Sequence, residues 1–542
     1  LRLRLFLKKE ELIMVFVGKQ PGKKATSNGI STFKGYVKKH PDRIALRTET
    51  FSETWGEMWE RCTRLANALL NRGIQKPDMV ATYMPNCYQF VEVMMAADII
   101  GLPITYGNYR LTPEEMIYQI NDCAAKVIFV TPEQHKMIFP LADRIPSLKE
   151  LVLIGDEKAD GVLHYEELIA SGSPEDPSVE VLPEDIQLLL YTSGTTGKPK
   201  GAVRSQYGAY NSAVSTAFEL GLNHNDSMFV SAPMYAAASG GYIKAALIAG
   251  GSLCIAPAFI PQDSLRLIDL FKPTWAFMVP IMYDWMLSLP PETIAQYDLS
   301  SIRLAVACGA PMHSNIFKKM VDHFPNAKCV NMLGASELSF VSIITAEEWF
   351  GMNKEGSIGK GIFDIDLQIF DQSGKEVGPG EIGVLYARGA AVFDGYWNNP
   401  EGTKEAFLDH EWATCGDVAR MDADGYIYLV DRSKDMIISG GTNIYPSEVE
   451  SVIMQMEGIA DVGVIGVPDD KWGEQVKAIV VLKPGYSVSE EEIITYCRQH
   501  LAGFKIPKSV DYIDAIPRNA IGKMLKKDLR KPYWEGKKSF IS

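Results

Sequence analysis

Tyr191-Thr-Ser-Gly-Thr-Thr-Gly-Lys-Pro-Lys-Gly201 runs straight on from an apolar stretch at 186–191. Its two internal glycines allow positive φ, so successive backbone N–H groups can turn inward and form an anion nest. Thr192, Ser193, Thr195 and Thr196 add hydroxyl donors, and Lys198 and Lys200 add positive charge. A loop of this make-up after a buried strand suits a polyphosphate; a polar surface turn is the plain alternative. It is not a Walker A loop, because no Gly-Lys pair has a glycine five residues before its own. Gly378-Pro-Gly380-Glu-Ile-Gly383 fits G-x-G-x-x-G, but a strand pattern follows it instead of a helix, so a dinucleotide site fails on context. Neither a G-x-S-x-G elbow nor H-E-x-x-H occurs.

Outward from that loop, helical and strand patterns alternate. Trp55, Met58, Cys62, Leu65, Ala66 and Leu69 recur at three-to-four spacing behind a capping box of Thr54 with Glu57, and Gly73 sits where that helix should stop. Short apolar runs at 127–130, 186–191, 252–255 and 275–279 read as buried strands, and the interleaving argues for α/β layers. The turn-rich stretch 374–395, with strand-like 382–387, reads as a small antiparallel sheet. Beyond it the texture changes to a helix from Pro446, strands at 461–467 and 476–482, and a helix at 490–500. Asp431-Arg-Ser-Lys-Asp435 interrupts the apolar pattern and marks a domain boundary.

Composition excludes several classes. The 542 residues suffice for two or more domains, and 46% hydrophobic with 22% charged residues is ordinary for globular proteins. A net charge of -13 gives no support to nucleic acid as a partner. The local run from Arg518 to Lys538, eight basic residues against two acidic, reads first as a solvated surface. Eight scattered cysteines with no C-x-x-C pair read as reduced thiols of a cytoplasmic protein, and the histidines show no metal-ligand spacing. No apolar run reaches the ~18 residues of a membrane span. Residues 1–25 are set aside as a leader, non-native or disordered, with Met14 a candidate start.

The stretch 191–201 resembles the phosphate-loop signature of the adenylate-forming superfamily, which holds acyl-CoA synthetases, peptide-synthetase adenylation domains and firefly luciferase. Further motifs follow in that family's order: Gly309-Ala310-Pro311, Gly334-Ala-Ser336-Glu337, Gly395-Tyr-Trp397, Gly416-Asp417, Asp431-Arg432-Ser-Lys434-Asp, Gly440-Gly441, Tyr445-Pro-Ser-Glu448 and Gly522-Lys523. The resemblance covers about residues 30 to 530. It implies a large N-terminal domain (26–432) of layered α/β sheets with a small antiparallel barrel, and a small mobile α+β domain (433–542) hinged near 432–435.

A carboxylate is a poor acyl donor, because its oxygen leaves badly. Joining it to the α-phosphate of ATP makes a mixed anhydride with AMP as the leaving group. By resemblance, Thr192, Ser193, Gly194, Thr195, Thr196 and Lys200 cradle the phosphates, and Gly309, Ala310, Pro311 and Ser336 flank the adenine side. Glu337 with Thr192 holds Mg²⁺, Asp417 and Arg432 take the ribose or phosphate region, and Lys523 reaches between carboxylate and α-phosphate. Lys434 maps to the hinge, and Gly440, Gly441 and Lys505 to CoA. Taken singly, Glu337 or Asp417 reads as a cap or surface acid and Lys523 as a solvated charge. Cys415, where the family usually has Thr, reads as a neutral substitution.

The acid site is expected around Tyr235, Ala236, Ala307, Cys308, Leu333 and Gly334. Ala236 stands where the family often has His, and no acidic residue occurs from 231 to 241. That favours an apolar fatty, cyclic or aromatic acid over an amino acid. The leading expectation is an ATP-dependent acid–CoA ligase, with small-molecule acid, ATP and CoA as partners and a homodimer left open. The alternatives are an adenylation enzyme loading a separate carrier protein, a luciferase-like oxidative enzyme, and a catalytically silent AMP-binding module.

Overall fold

The computed structural model describes residues 2–8, 11–17, 29–192, 199–432, 435–439, 442–469, 472–518 and 524–535. It is a mixed α/β protein with a large N-terminal domain and a small C-terminal one. Arg2–Lys8 and Glu11–Val17 pair as a separate antiparallel ladder.

Two sheets carry the large domain. In the eight-stranded one, Ile186–Thr192, Ile104–Tyr106, Val80–Tyr83, Val127–Val130, Glu150–Leu153 and Leu163–His164 succeed one another in parallel. Lys200–Ser205 and then Gly395–Tyr396 close one edge in antiparallel register. The nine-stranded sheet has a parallel run of Lys328–Ala335, Leu304–Cys308, Trp275–Met278, Ser227–Val230, Ser252–Ile255 and Ile44–Arg47, with antiparallel strands beyond both ends. These central strands are buried almost throughout, as sheets covered on both faces require. The 275–279 run ends as a strand at Met278, because Val279 is the extended cap before Pro280 of the helix Pro280–Leu287.

Helices fill the layers. Trp55–Asn71 starts on the Thr54–Glu57 capping box, with both reciprocal bonds made, and buries its apolar stripe against Tyr88–Ile100. The latter is buried from Phe90 to Ile100, as an all-round apolar helix must be. Gln206–Glu219 touches the eight-stranded sheet and packs on Ala237–Ile248, which touches the nine-stranded one. This helix pair joins the two sheets into one core.

Asp366–Phe370, Ile382–Arg388, Phe407–Leu408, Trp412–Ala413, Asp417–Met421 and Ile427–Arg432 form a six-stranded antiparallel sheet. The strand Ile382–Arg388 directly after Gly378-Pro-Gly380 confirms that no dinucleotide helix begins there. In the small domain, Ile459–Asp469 and Gly473–Leu482 form a long hairpin, wider than the runs 461–467 and 476–482 because pairing continues almost to the turn. Ile437–Ser439, Thr442–Ile444 and Ser509–Tyr512 complete its sheet, and Pro446–Ile453 and Glu490–His500 cover it.

Candidate active site

The parallel strands of the nine-stranded sheet all end at one edge, where the connections can present backbone and side chains to a ligand. Cys308 leads into Gly309-Ala310-Pro311, Val230 into Ser231–Ala236, and the register shift at Leu333/Gly334 delivers Ser336 and Glu337. Gly309 has φ +92°, a conformation in which any side chain would be strained.

The hairpin of Ile186–Thr192 with Lys200–Ser205 reaches this edge from the other sheet. Thr192 and Lys200 are direct register partners at its tip, and the Thr192 hydroxyl donates to the Lys200 carbonyl at 3.4 Å. Four contacts tie hairpin and edge together. Arg204 Nη2 donates to the Ser336 carbonyl at 2.9 Å. The Tyr396 hydroxyl donates to Glu337 Oε1 at 2.8 Å, and Lys200 Nζ lies 5.2 Å from the centre of the Tyr396 ring. The Phe393 amide donates to the Glu337 carbonyl at 2.8 Å. Glu337 is therefore a buried carboxylate held through Oε1, with Oε2 uncommitted among the described residues.

Electrostatics follow from burial. Removal from water brings the Arg204 guanidinium down to about 10, against the opposing pull of Asp394 and Glu337. Burial and then the Glu337 charge push the Tyr396 phenol well above its ordinary range, so Tyr396 stays a donor. Asp417 is buried at the start of Asp417–Met421, and Cys415 Sγ donates to its Oδ2 at 3.2 Å. Its backbone register partner is Arg432, so the two expected nucleotide residues are neighbours across one antiparallel pair.

On the acid side, Ala307 and Cys308 are buried, and burial raises the Cys308 thiol to about 12, which favours its neutral form. Leu333 and Gly334 are part-buried on the neighbouring strand. Tyr235 is buried edge-on to Tyr109 at 5.6 Å, with its hydroxyl unpartnered among the described residues, and Ala236 is the cap of Ala237–Ile248. Lys505 Nζ lies 2.6 and 2.7 Å from the two carboxylate oxygens of Glu448, so in this pose the cation expected near CoA is already paired. Ser193, Gly194, Thr195, Thr196, Lys198, Lys434, Gly440, Gly441, Gly522 and Lys523, and the side chain of Arg432, lie outside the described residues.

Three residues with no role in the sequence reading stand in this site: Arg204, Tyr396 and Asn331. The signal for Asn331 is a polar residue inside the apolar run 329–333, whereas the strand of Arg204, which also carries Lys200 and Ser205, offers none. Asn331 is buried on Lys328–Ala335 beside Ala307, and its Oδ1 has no partner among the described residues. No group of three or more His, Cys, Asp or Glu side chains that could hold a metal ion occurs among the described residues.

The AMP-binding enzyme family matches residues 33–397, and the AMP-binding enzyme C-terminal domain matches residues 448–523. Feruloyl-CoA synthase of Amycolatopsis sp is 34% identical over 91% of this chain and 96% of its own. The long-chain-fatty-acid–CoA ligase FadD13 of Mycobacterium tuberculosis is 33% identical over 89% and 93% respectively. The ATP-bound crystal structure of MatB from Rhodopseudomonas palustris superposes with a TM-score of 0.84 at 28% identity, covering 93% of this chain and 99% of that one. No helix among the described residues is long and apolar enough to cross a membrane. The chain belongs to the AMP-binding enzyme family of the adenylate-forming superfamily and is an AMP-forming acid–CoA ligase.

Proposed function

We propose that ATP lies along the strand-end edge with its phosphates over the hairpin tip and its adenosine between Gly309 and Asp417. Thr192, Ser193, Gly194, Thr195, Thr196 and Lys200 then cradle the phosphates. Gly309, Ala310, Pro311 and Ser336 border the adenine, whose amino group supplies the donor that Asn331 Oδ1 lacks. Asp417 accepts from the ribose hydroxyls, with Arg432 donating beside it. Glu337 with Thr192 fits Mg²⁺, which is held by one or two carboxylates plus phosphate oxygens and would neutralise polyphosphate charge when bound.

A carboxylate oxygen of the acid attacks the α-phosphorus, the α–β bridging P–O bond breaks, and pyrophosphate leaves. Lys523 stabilises the charge that builds on the α-phosphate. The CoA thiol, as thiolate, then attacks the acyl carbon and AMP departs, carrying the oxygen that came from the acid. The domain boundary falls at 432–435. Rotation about Lys434 would exchange Lys523 for Gly440 and Gly441, which would line the entry of the pantetheine arm. The acid is uncharged beyond its carboxylate, since Tyr235, Ala236, Ala307, Cys308, Leu333 and Gly334 offer no ion partner.

The observation that carries this reading is the Lys200–Tyr396–Glu337 chain, which joins the tip of one sheet to the strand ends of the other. Pyrophosphate release across a panel of acids, with and without CoA, tests it. The expected result is acid-dependent release with AMP and an acyl-CoA thioester. Release without thioester would favour loading of a carrier protein, and no release with any acid would contradict the reading. Lys523→Ala should lose acyl-AMP formation and keep thioester formation from supplied acyl-AMP; equal loss of both half-reactions would contradict the domain exchange.

A further inference from the structure

We propose that Asn86 is a positioning residue for the acid: its side-chain amide fixes the backbone of 231–236 and so sets where Tyr235 and Ala236 stand. This rests on the placement of the acid given above and deepens it.

Segment 231–236 joins the strand Ser227–Val230 to the helix Ala237–Ile248 without regular structure of its own. Ser231, Ala232, Met234 and Tyr235 are buried, so their backbone polar groups need partners within the protein. The segment provides little for itself. The Ala236 amide donates to the Pro233 carbonyl at 3.0 Å, while Ser231 Oγ and the Tyr235 hydroxyl have no partner among the described residues.

Asn86 supplies what is missing, and it comes from the other sheet. It lies between the strand Val80–Tyr83 and the helix Tyr88–Ile100 and is itself buried. Its Oδ1 accepts from the Met234 amide at 2.8 Å. Its Nδ2 donates to the carbonyls of Ala232 and Ala256, both at 3.1 Å, with the Ser231 carbonyl at 3.5 Å. Ala256 directly follows Ser252–Ile255, and its amide donates to the Val230 carbonyl at 2.9 Å. One side chain thus ties the loop ahead of the helix to the ends of two neighbouring parallel strands. Among the described residues, no other side chain bonds to the backbone of 231–236.

An amide suits this place because one planar group carries both an acceptor and a two-hydrogen donor. An ionised carboxylate of the same shape keeps the acceptor and loses the donor. Met234 directly precedes Tyr235, so breaking these bonds frees the ring that meets Tyr109 edge-on. The phosphate side hangs on other residues, Lys200, Tyr396 and Glu337. Loss of the Asn86 amide should therefore weaken use of the acid and spare ATP.

The test is pyrophosphate release with ferulate, benzoate and hexadecanoate in the wild type, Asn86→Ala, Asn86→Asp and Tyr235→Ala, together with amide hydrogen exchange. For the acid that the wild type uses best, both Asn86 variants should lose about tenfold or more in kcat/KM, chiefly through KM for the acid. KM for ATP should change by less than about twofold. Exchange should quicken in 231–236 and stay slow in Ser227–Val230, which a general loss of stability would not produce. Equal shifts in KM for acid and ATP, or protection lost in the strand and the loop together in both variants, would make Asn86 a fold residue and overturn the proposal. If Tyr235→Ala impairs use of the acid and neither Asn86 variant does, the proposal fails and the acid's placement stands. If none of the three impairs it, that placement fails too, and release with no acid in the wild type would overturn the ligase reading itself.

Discussion

Arg61 and Arg204 both lie among carboxylates, and the Arg61 guanidinium is fully engaged whereas that of Arg204 is left partly open. Arg61 donates to Glu92 and bidentately to Glu166 at 2.9 and 3.0 Å, while Tyr165 donates to Glu92 at 2.7 Å. That network ties Trp55–Asn71 to Tyr88–Ile100 and Tyr165–Ser171, away from the strand-end edge. Arg204 gives Nη2 to a carbonyl, its Nε has no partner among the described residues, and the nearby Glu337 keeps Oε2 uncommitted. A satisfied network holds a fold together. An unsatisfied one, kept in a buried cleft, is a place made for a charged ligand.

The largest effect should come from breaking the closed network. Arg61→Ala strands Glu92, which is fully buried, and should destabilise by about 3–5 kcal/mol in urea unfolding. Enzyme that remains folded should keep its adenylation rate per active site. Glu337→Gln should behave the opposite way, with adenylation down about 10²–10³-fold and the melting temperature little changed. If the two variants lost stability and activity in parallel, the contrast between the regions would be wrong.

A subtler effect concerns Glu53, a third carboxyl beside the Arg61 bonds but not part of them, whose oxygens lie no nearer than 3.8 Å to Arg61. Burial first, then the charge of Glu92, raises it to about 9, so the folded state holds a proton that the unfolded state releases near the ordinary carboxylate range. Its stabilising contribution is complete below that range and is lost as pH rises toward about 9. Between pH 6 and 8 the stability of wild type should fall relative to Glu53→Gln by about 2–3 kcal/mol. Parallel stability–pH curves would show that Glu53 is ionised in the fold. The smallest effect belongs to Cys415→Ala, which removes one weak thiol donor from Asp417 and should raise KM for ATP only about two- to fivefold.

Local features of this fold were legible without coordinates. The Thr54–Glu57 box starts its helix as expected, and the helix at 490–500 begins and ends on those residues. These signals lie within a few residues of each other, where periodicity and capping act. The site's own contacts were not legible. Tyr396 meets Glu337 across 59 positions and Arg204 meets Ser336 across 132, distances over which no repeat pattern carries information. The acid side shows the same limit. An apolar character followed from composition near 231–241, but the unpartnered buried hydroxyl of Tyr235 emerges only when its neighbours are known.

The reaction turns on a bond between the acid's oxygen and the α-phosphorus of ATP. Supplying an accepted acid with both carboxylate oxygens labelled with ¹⁸O, together with ATP and CoA, and weighing the nucleotide product reads that bond directly. AMP should carry one ¹⁸O atom per turnover, with unlabelled pyrophosphate beside it. Unlabelled AMP, or ADP with the label in phosphate, would contradict adenylation at this site.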